Sequence, residues 1–287
     1  MKKLRVSSSL NLHYYDGNDR SEYIREGLIF NKKVGFDAAD LSMHNLDLSS
    51  DAGWRGQVER ALSDSRDIGL NIELCHLPFS GRVAKEPDYV PIFNEQMHRA
   101  IDAAKLLGVD YAVLHPNTTT IPMNTYSRKE QYDSVMAHLS PFAEHAARIG
   151  LNIVVEIMRY VPHFAPVHRY TQTPEELCEV ADALGIGVCW DFGHAHIDGV
   201  KQSEGIKYVG KRLKVLHVND NFATEDEHLP PFIGNIDWRD AMHGLSEVGF
   251  DGLLNFELST GRLPKGAREA YASLIIESAN ALMSYIE

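Results

Sequence analysis

Gly185-Ile186-Gly187-Val188-Cys189-Trp190-Asp191-Phe192-Gly193-His194 is a glycine, a short apolar run, an acid that ends the run, and a histidine three residues later. Glycine is favoured just past a helix C-terminus because it takes the left-handed conformation without a Cβ clash. An apolar run with no alternation is what a strand covered by helices on both sides requires. The stretch therefore predicts a helix end, a tight turn and a buried parallel strand. The same punctuation recurs at Gly35-Phe36-Asp37-Ala38, Gly69-Leu70-Asn71-Ile72, Gly108-Val109-Asp110-Tyr111, Gly150-Leu151-Asn152-Ile153 and Gly249-Phe250-Asp251-Gly252. Strands at Arg5–Ser9 and at 213–219 bring the set to eight, alternating with amphipathic segments. That alternation predicts an α/β fold with a parallel sheet and crossover helices.

The intervening helices carry their own signals. Residues 92–107 place Phe93, Met97, Ala100, Ile101, Ala104 and Leu107 at helical spacing, with Pro91 in the first turn. Thr173-Pro174-Glu175-Glu176 reads as a capping box, and Asp237 as the cap of Trp238–Val248. Strand-to-helix connections at 10–22, 77–90, 116–127, 158–172 and 220–236 are long, whereas helix-to-strand connections are short. Long loops on the C-terminal side favour a (β/α)8 TIM barrel, one domain over residues 1–287, with its active site on that face. The competing open doubly wound sheet often carries a glycine-rich phosphate turn, and neither GxGxxG nor a Walker sequence occurs.

The formal net charge of −12 and the lack of basic runs argue against nucleic acid as a partner. Cys75, Cys178 and Cys189 are scattered through apolar patterns without a CxxC pair, so they read as packing residues. No signal-peptide core or membrane span is read, and the expected location is cytoplasmic. A homo-oligomer is left open.

Polar residues close most of the strands: His76, His115, Glu156, Asp191, His217 and Glu257. Each of the five that follow a C′ glycine lies about six to eight residues past it, at a similar height on a strand rising about 3.3 Å per residue. Acids and imidazoles converging on one axis desolvate and repel one another unless a cation lies between them. Oxygen and imidazole donors without thiolate suit Mn²⁺, Zn²⁺, Co²⁺ or Mg²⁺, with Mn²⁺ the first choice.

At these residues the chain resembles the xylose isomerase-like TIM-barrel superfamily, which holds sugar isomerases and epimerases and the endonuclease IV-type apurinic endonucleases. The most specific stretches are Trp190-Asp191-Phe192-Gly193-His194, His217-Val218-Asn219-Asp220, and Asp226-Glu227-His228-Leu229-Pro230-Pro231 continuing through Gly234-Asn235-Ile236-Asp237-Trp238. Phe232 stands where the family's HLPPGxGxIDW pattern usually has glycine. The resemblance to the epimerase branch implies one metal on Glu156, Asp191, His217 and Glu257. The nuclease branch would hold three zincs on those four together with His76, His115, His194, Asp226 and His228. Glu156-Ile157-Met158-Arg159-Tyr160-Val161-Pro162 and Asn117-Thr118-Thr119-Thr120 are less like the nuclease than the sugar branch. Pro162 and Ala223 replace two substrate contacts of ketohexose 3-epimerases, so the substrate need not be a free ketohexose.

The expected activity is a divalent-metal-dependent isomerase or epimerase of a small-molecule sugar or sugar derivative, with Glu156 and Glu257 as the acid/base pair. His194, His76, His115 and Asn219 are expected around the substrate, Asn219 as support behind the groups that touch it, and His228 and Asp226 are additional metal candidates. The rival activity is a zinc phosphodiesterase acting on abasic DNA. Arg159, His163, His168 and Arg169, in the loop after the fifth strand, could set specificity or bind a phosphate, but such residues more often read as solvated loop charges.

Overall fold

In a computed structural model, which describes residues 4–83, 85–116, 121–122, 125–159, 167–258, 260–261 and 263–286, the apolar runs form a closed barrel. Its strands are Arg5–Ser9, Ala38–Ser42, Ile72–His76, Tyr111–Leu114, Ile153–Glu156, Gly187–Asp191, Leu213–His217 and Leu253–Phe256. Each pairs in parallel with the next in chain order, and the eighth pairs with the first. The seventh and eighth meet at Val218 and Phe256, where the Val218 amide donates to the Asn255 carbonyl at 2.8 Å. The fold is a single (β/α)8 TIM barrel. A short antiparallel ribbon, Ile121–Pro122 with Val167–His168, lies outside it. The stretch 117–120, Pro162 and His163 fall outside the described residues.

All six expected C′ glycines have positive φ, between 66° and 110°, and cap their helices. Thr173 caps Pro174–Leu184 by accepting from the Glu176 amide at 3.3 Å. The reciprocal half of the expected capping box is spent elsewhere. The Glu176 carboxylate instead contacts the Tyr126 hydroxyl and His168 Nε2, each at 2.9 Å. Asp237 caps Trp238–Val248 as expected.

Strand periodicity sets the layers. Leu74, Val113, Val154, Cys189 and Val215 pack together inside the barrel, while their chain neighbours Cys75, Ala112, Val155, Trp190 and Leu216 pack outward against the helices. Burying each large aliphatic side chain of that plug contributes about 1.5–3 kcal/mol. Because side chains alternate with a period of two, the residue two beyond each plug member points inward again at the barrel's C-terminal mouth. Those residues are His76, His115, Glu156, Asp191 and His217. The fourth and eighth strands stop at Leu114 and Phe256, so His115 and Glu257 stand one residue past the ladder.

The long loop after the seventh strand is held by one buried carboxylate. Asp220 Oδ2 accepts from the Phe232 amide and from Trp238 Nε1, both at 2.9 Å, and Oδ1 from the amides of Asn221 (2.9 Å) and Ile236 (3.2 Å). Backbone pairing of Asp220 with Leu229 closes the loop. A Cβ on Gly234 would lie 2.3 Å from Asp220 Oδ1 and 2.4 Å from the Asn221 carbonyl, so the backbone can approach this closely only at glycine. Phe232 has φ +74°, the left-handed conformation that makes glycine usual at this position. Asp220→Ala strands several buried donors and should cost about 3 kcal/mol or more in denaturant unfolding. Phe232→Gly relieves the backbone and should be neutral or stabilising in the same measurement.

Candidate metal centre

Glu156, 1% exposed, sits at the middle of the mouth. Its Oε1 lies 3.2 Å from His217 Nδ1 and 3.3 Å from His194 Nδ1. Its Oε2 lies 2.9 Å from His115 Nε2 and 3.5 Å from His76 Nε2. His217 Nδ1 is also 3.0 Å from Glu257 Oε2 and 3.9 Å from Asp191 Oδ2. One ligand atom from each of Glu156, Asp191, His217 and Glu257 falls within 4.8 Å of the others, as do atoms of His76, Glu156 and His217.

Asp191 is fully buried and fastened from behind. Its Oδ1 accepts from the His194 amide at 2.7 Å, capping the helix Phe192–Ile197, and its Oδ2 accepts from Asn219 Nδ2 at 2.8 Å. Asn219 therefore does not face a substrate; it is 0% exposed and aims Asp191. A Cβ on Gly193 would lie 1.9 Å from Asn219 Oδ1, which explains the glycine between Phe192 and His194.

A second group adjoins the first. Asp226 Oδ2 lies 3.4 Å from His194 Nε2, 3.3 Å from His228 Nε2 and 2.9 Å from Arg159 Nε. His194 Nδ1 is 2.8 Å from the Ile157 carbonyl and His228 Nδ1 is 2.9 Å from that of Glu257, so both rings turn Nε2 toward Asp226. His228 holds this pose at φ +49°, and Thr171, beneath Glu156, sits at φ +75° with its hydroxyl donating to the Glu156 carbonyl at 3.4 Å. Such non-glycine outliers cost about 1–2 kcal/mol each and persist where packing enforces them.

The electrostatics follow from crowding. Burial favours a neutral Glu156, but His217, His115 and His194 overcome it and hold the carboxyl well below its usual range. Burial raises Asp191 against the pull of His194, with the Glu156, Glu257 and Asp226 charges adding to the rise. Burial also opposes charge on His217, yet the Cys189 sulfur and the Glu257 and Glu156 carboxylates keep it well above an ordinary imidazole. His228 is pushed up to about 10: burial works against its charge, but Asp226 and Glu257 win. His115 goes the other way, lowered chiefly by burial. Glu156 Oε2 has imidazole nitrogens beside it but no well-aligned hydrogen bond, and Asp226 Oδ1 is buried without a hydrogen-bond partner among the described residues. Hard oxygen donors, an imidazole nitrogen and an orphaned carboxylate oxygen fit a divalent cation.

These residues line a cavity of about 290 Å³ on the C-terminal face, at the small end of ligand pockets, which run from about 300 to 1,000 Å³. His76, His115, Glu156, His194, Asp226, His228 and Glu257 all reach it; Asp191, His217 and Asn219 lie behind its wall. Of the two readings open for them, Arg159 and Arg169 take the one inside the site, as part of the cavity wall. Two further features carry no sequence expectation: Phe79 stacks on His115 at 4.5 Å, and a buried acid lies beneath the site. Asp40 is buried, accepts from Asn255 Nδ2 at 2.9 Å, and is raised by its burial against the pull of His217 and Asn255. The acid inside Ala38-Ala39-Asp40-Leu41 was the available signal for it.

A family model described as xylose isomerase-like TIM barrel matches residues 30–277. An uncharacterized protein of Methanocaldococcus jannaschii is 30% identical over 198 residues, 67% of this chain and 62% of that relative. An inosose isomerase of Bacillus velezensis is 26% identical over 213 residues, 69% of this chain and 71% of the relative. A probable endonuclease 4 of Mycoplasmoides gallisepticum is 24% identical over 212 residues, 66% of this chain and 61% of the relative. The crystal structure of a D-tagatose 3-epimerase-like protein superposes with TM-score 0.74 at 22% identity, covering 98% of both chains, a likeness of fold.

Cation binding to this donor set must displace the protons that the carboxylates hold on the imidazoles. Calorimetric titration of Mn²⁺ in buffers of different ionisation enthalpy should show net proton release near neutrality. Affinity should fall as pH is lowered.

Proposed function

The chain belongs to the xylose isomerase-like TIM barrel family, and from that premise we propose that it is a divalent-metal-dependent isomerase or epimerase of a sugar or sugar derivative. It moves a proton α to a carbonyl through an enediolate. The observation that carries this reading is the convergence of Glu156, Asp191, His217 and Glu257 ligand atoms within 4.8 Å at the mouth of the barrel. The likeness to an inosose isomerase supports the same class of chemistry.

Those four residues would hold the cation, with Mn²⁺ the first choice over Zn²⁺, Co²⁺ and Mg²⁺. When bound, a divalent cation supplies Lewis-acid polarisation of a substrate carbonyl and the hydroxyl beside it. Glu156 and Glu257 come from strands five and eight and serve as the acid/base pair. One takes the α proton, and the other returns a proton on the opposite face for epimerisation. The Glu257 side chain is 26% exposed and is the more accessible to substrate, whereas Glu156 is pinned by imidazoles. Both carboxyls are held low, so each is a weak base, and fixed positioning of the substrate must compensate. His76, His115 and His194 on the cavity wall grip substrate oxygens. Asn219 acts through Asp191 by fixing its carboxylate.

The alternative, a zinc phosphodiesterase acting on abasic DNA, draws support from the likeness to a probable endonuclease 4 and from His194, Asp226 and His228 gathering beside the first group. Against it, the Arg159 guanidinium already lies 2.9 Å from Asp226, where a further cation would be repelled, and the net charge is −12. Among the described residues no helix is long and apolar enough to cross a membrane.

Metal-loaded protein incubated in D₂O with a panel of keto sugars and sugar derivatives should place deuterium on an α carbon. Glu257→Gln should slow that exchange by about 10²–10⁴-fold. No deuterium uptake across the panel, or cleavage of an abasic oligonucleotide, would overturn the isomerase reading.

A further inference from the structure

The loop after the fifth barrel strand contributes two guanidiniums to the cavity, Arg159 near its start and Arg169 near its end. They lie close enough for each to oppose the other's charge. Arg159 has Asp226 as a partner at 2.9 Å. Arg169 does not have its counterpart. Its Nε is buried without a hydrogen-bond partner among the described residues. Glu156, Asp226 and Asp198 attract it only through space. Its backbone is nonetheless pinned. The Arg169 amide donates to Gln172 Oε1 at 3.1 Å, and its carbonyl accepts from the Gln172 amide at 3.2 Å. Gln172 Nε2 is in turn tied to Asp198 Oδ1 at 2.8 Å.

Burial, with Arg159 next in effect, pulls Arg169 down to about 10, so it stays cationic at neutral pH. Keeping such a charge in a pocket with an unmet donor is costly, and structures retain it where a ligand meets the donor. Guanidinium presents a planar fork of donors that matches a carboxylate or phosphate through paired hydrogen bonds, and it is more weakly hydrated than an ammonium.

We propose that Arg169, with Arg159 beside it, forms an anion subsite, and that the natural substrate is a sugar derivative bearing a carboxylate or phosphate group. The inference rests on the isomerase reading of the metal centre and specifies the substrate class of that same cavity. The anion lies against the wall built by the loop after the fifth strand, while the reacting carbons face Glu156 and Glu257.

The test uses small probes that do not depend on sugar stereochemistry: glycolate, inorganic phosphate, and glycerol as the neutral control. Binding to metal-loaded protein is measured by calorimetry, with metal content confirmed for each variant. One of the two anions should bind more tightly than glycerol by at least about tenfold, and whichever it is separates a carboxylate from a phosphate substrate. Arg169→Gln should weaken that anion about tenfold or more, the loss of a charge-assisted hydrogen-bonded pair. Arg169→Lys, which keeps the charge but not the fork, should fall between and decides the matter where Arg169→Gln fails to fold. Equal binding of anions and glycerol to the wild type, or an anion preference that survives both substitutions, would overturn the subsite. Deuterium exchange separates the two claims. Exchange into a neutral sugar without an anion preference refutes the subsite alone. Arg169-dependent anion binding with no exchange into any sugar, charged or neutral, refutes the isomerase reading alone.

Discussion

Four carboxylates, Glu156, Asp191, Asp226 and Glu257, share the mouth of one barrel, the first two of them buried. Like charges so confined repel strongly at the low effective dielectric of a protein interior, and each also loses its hydration. The arrangement therefore depends on positive charge placed among them. Five imidazoles and two guanidiniums surround the acids, and the protonation of these imidazoles is bent to that end: His76, His194, His217 and His228 are raised, and His115 alone is lowered. A divalent cation at the centre would satisfy the same demand, which is the physical ground for the metal proposed there.

The rest of the fold serves that constraint. An apolar plug of Leu74, Val113, Val154, Cys189 and Val215 closes the barrel beneath the acids and keeps their environment dry from below. Asn219 and the amide of His194 hold both oxygens of Asp191 so that it cannot turn away. Asp220 gathers the loop that delivers Asp226 and His228, which explains in physical terms why the Leu229-Pro230-Pro231 to Ile236-Asp237-Trp238 stretch reads as a motif. One carboxylate on a strand end binds chemistry, and another three residues past a strand end binds the protein to itself.

Much of this was legible before any coordinates. C′ glycines mark the ends of six helices, and the near-constant offset from each glycine to the polar residue closing the next strand places the polar ring. What escaped were features decided by distant neighbours. Asp40 is a lone acid in the apolar second strand until Asn255 meets it from the eighth strand, across the first. Asn219 reads as support for the site, but only its burial and its bond to Asp191 show which residue it holds. Arg159 and Arg169 can be read from sequence either as specificity contacts or as ordinary loop charges, and only their place in the cavity wall decides between the two. Phe232 broke a glycine pattern, and its positive φ shows that the backbone kept the glycine's conformation and bears the strain.

The central claim is that Glu156, Asp191, His217 and Glu257 hold one divalent cation while Arg159 occupies the cationic place beside Asp226. An anomalous difference map from crystals of the Mn²⁺-loaded protein addresses it directly. One peak within coordination distance of those four residues, with Arg159 still on Asp226, is the expected result. Further peaks at His76 and His115 or among His194, Asp226 and His228, with Arg159 displaced, would contradict it.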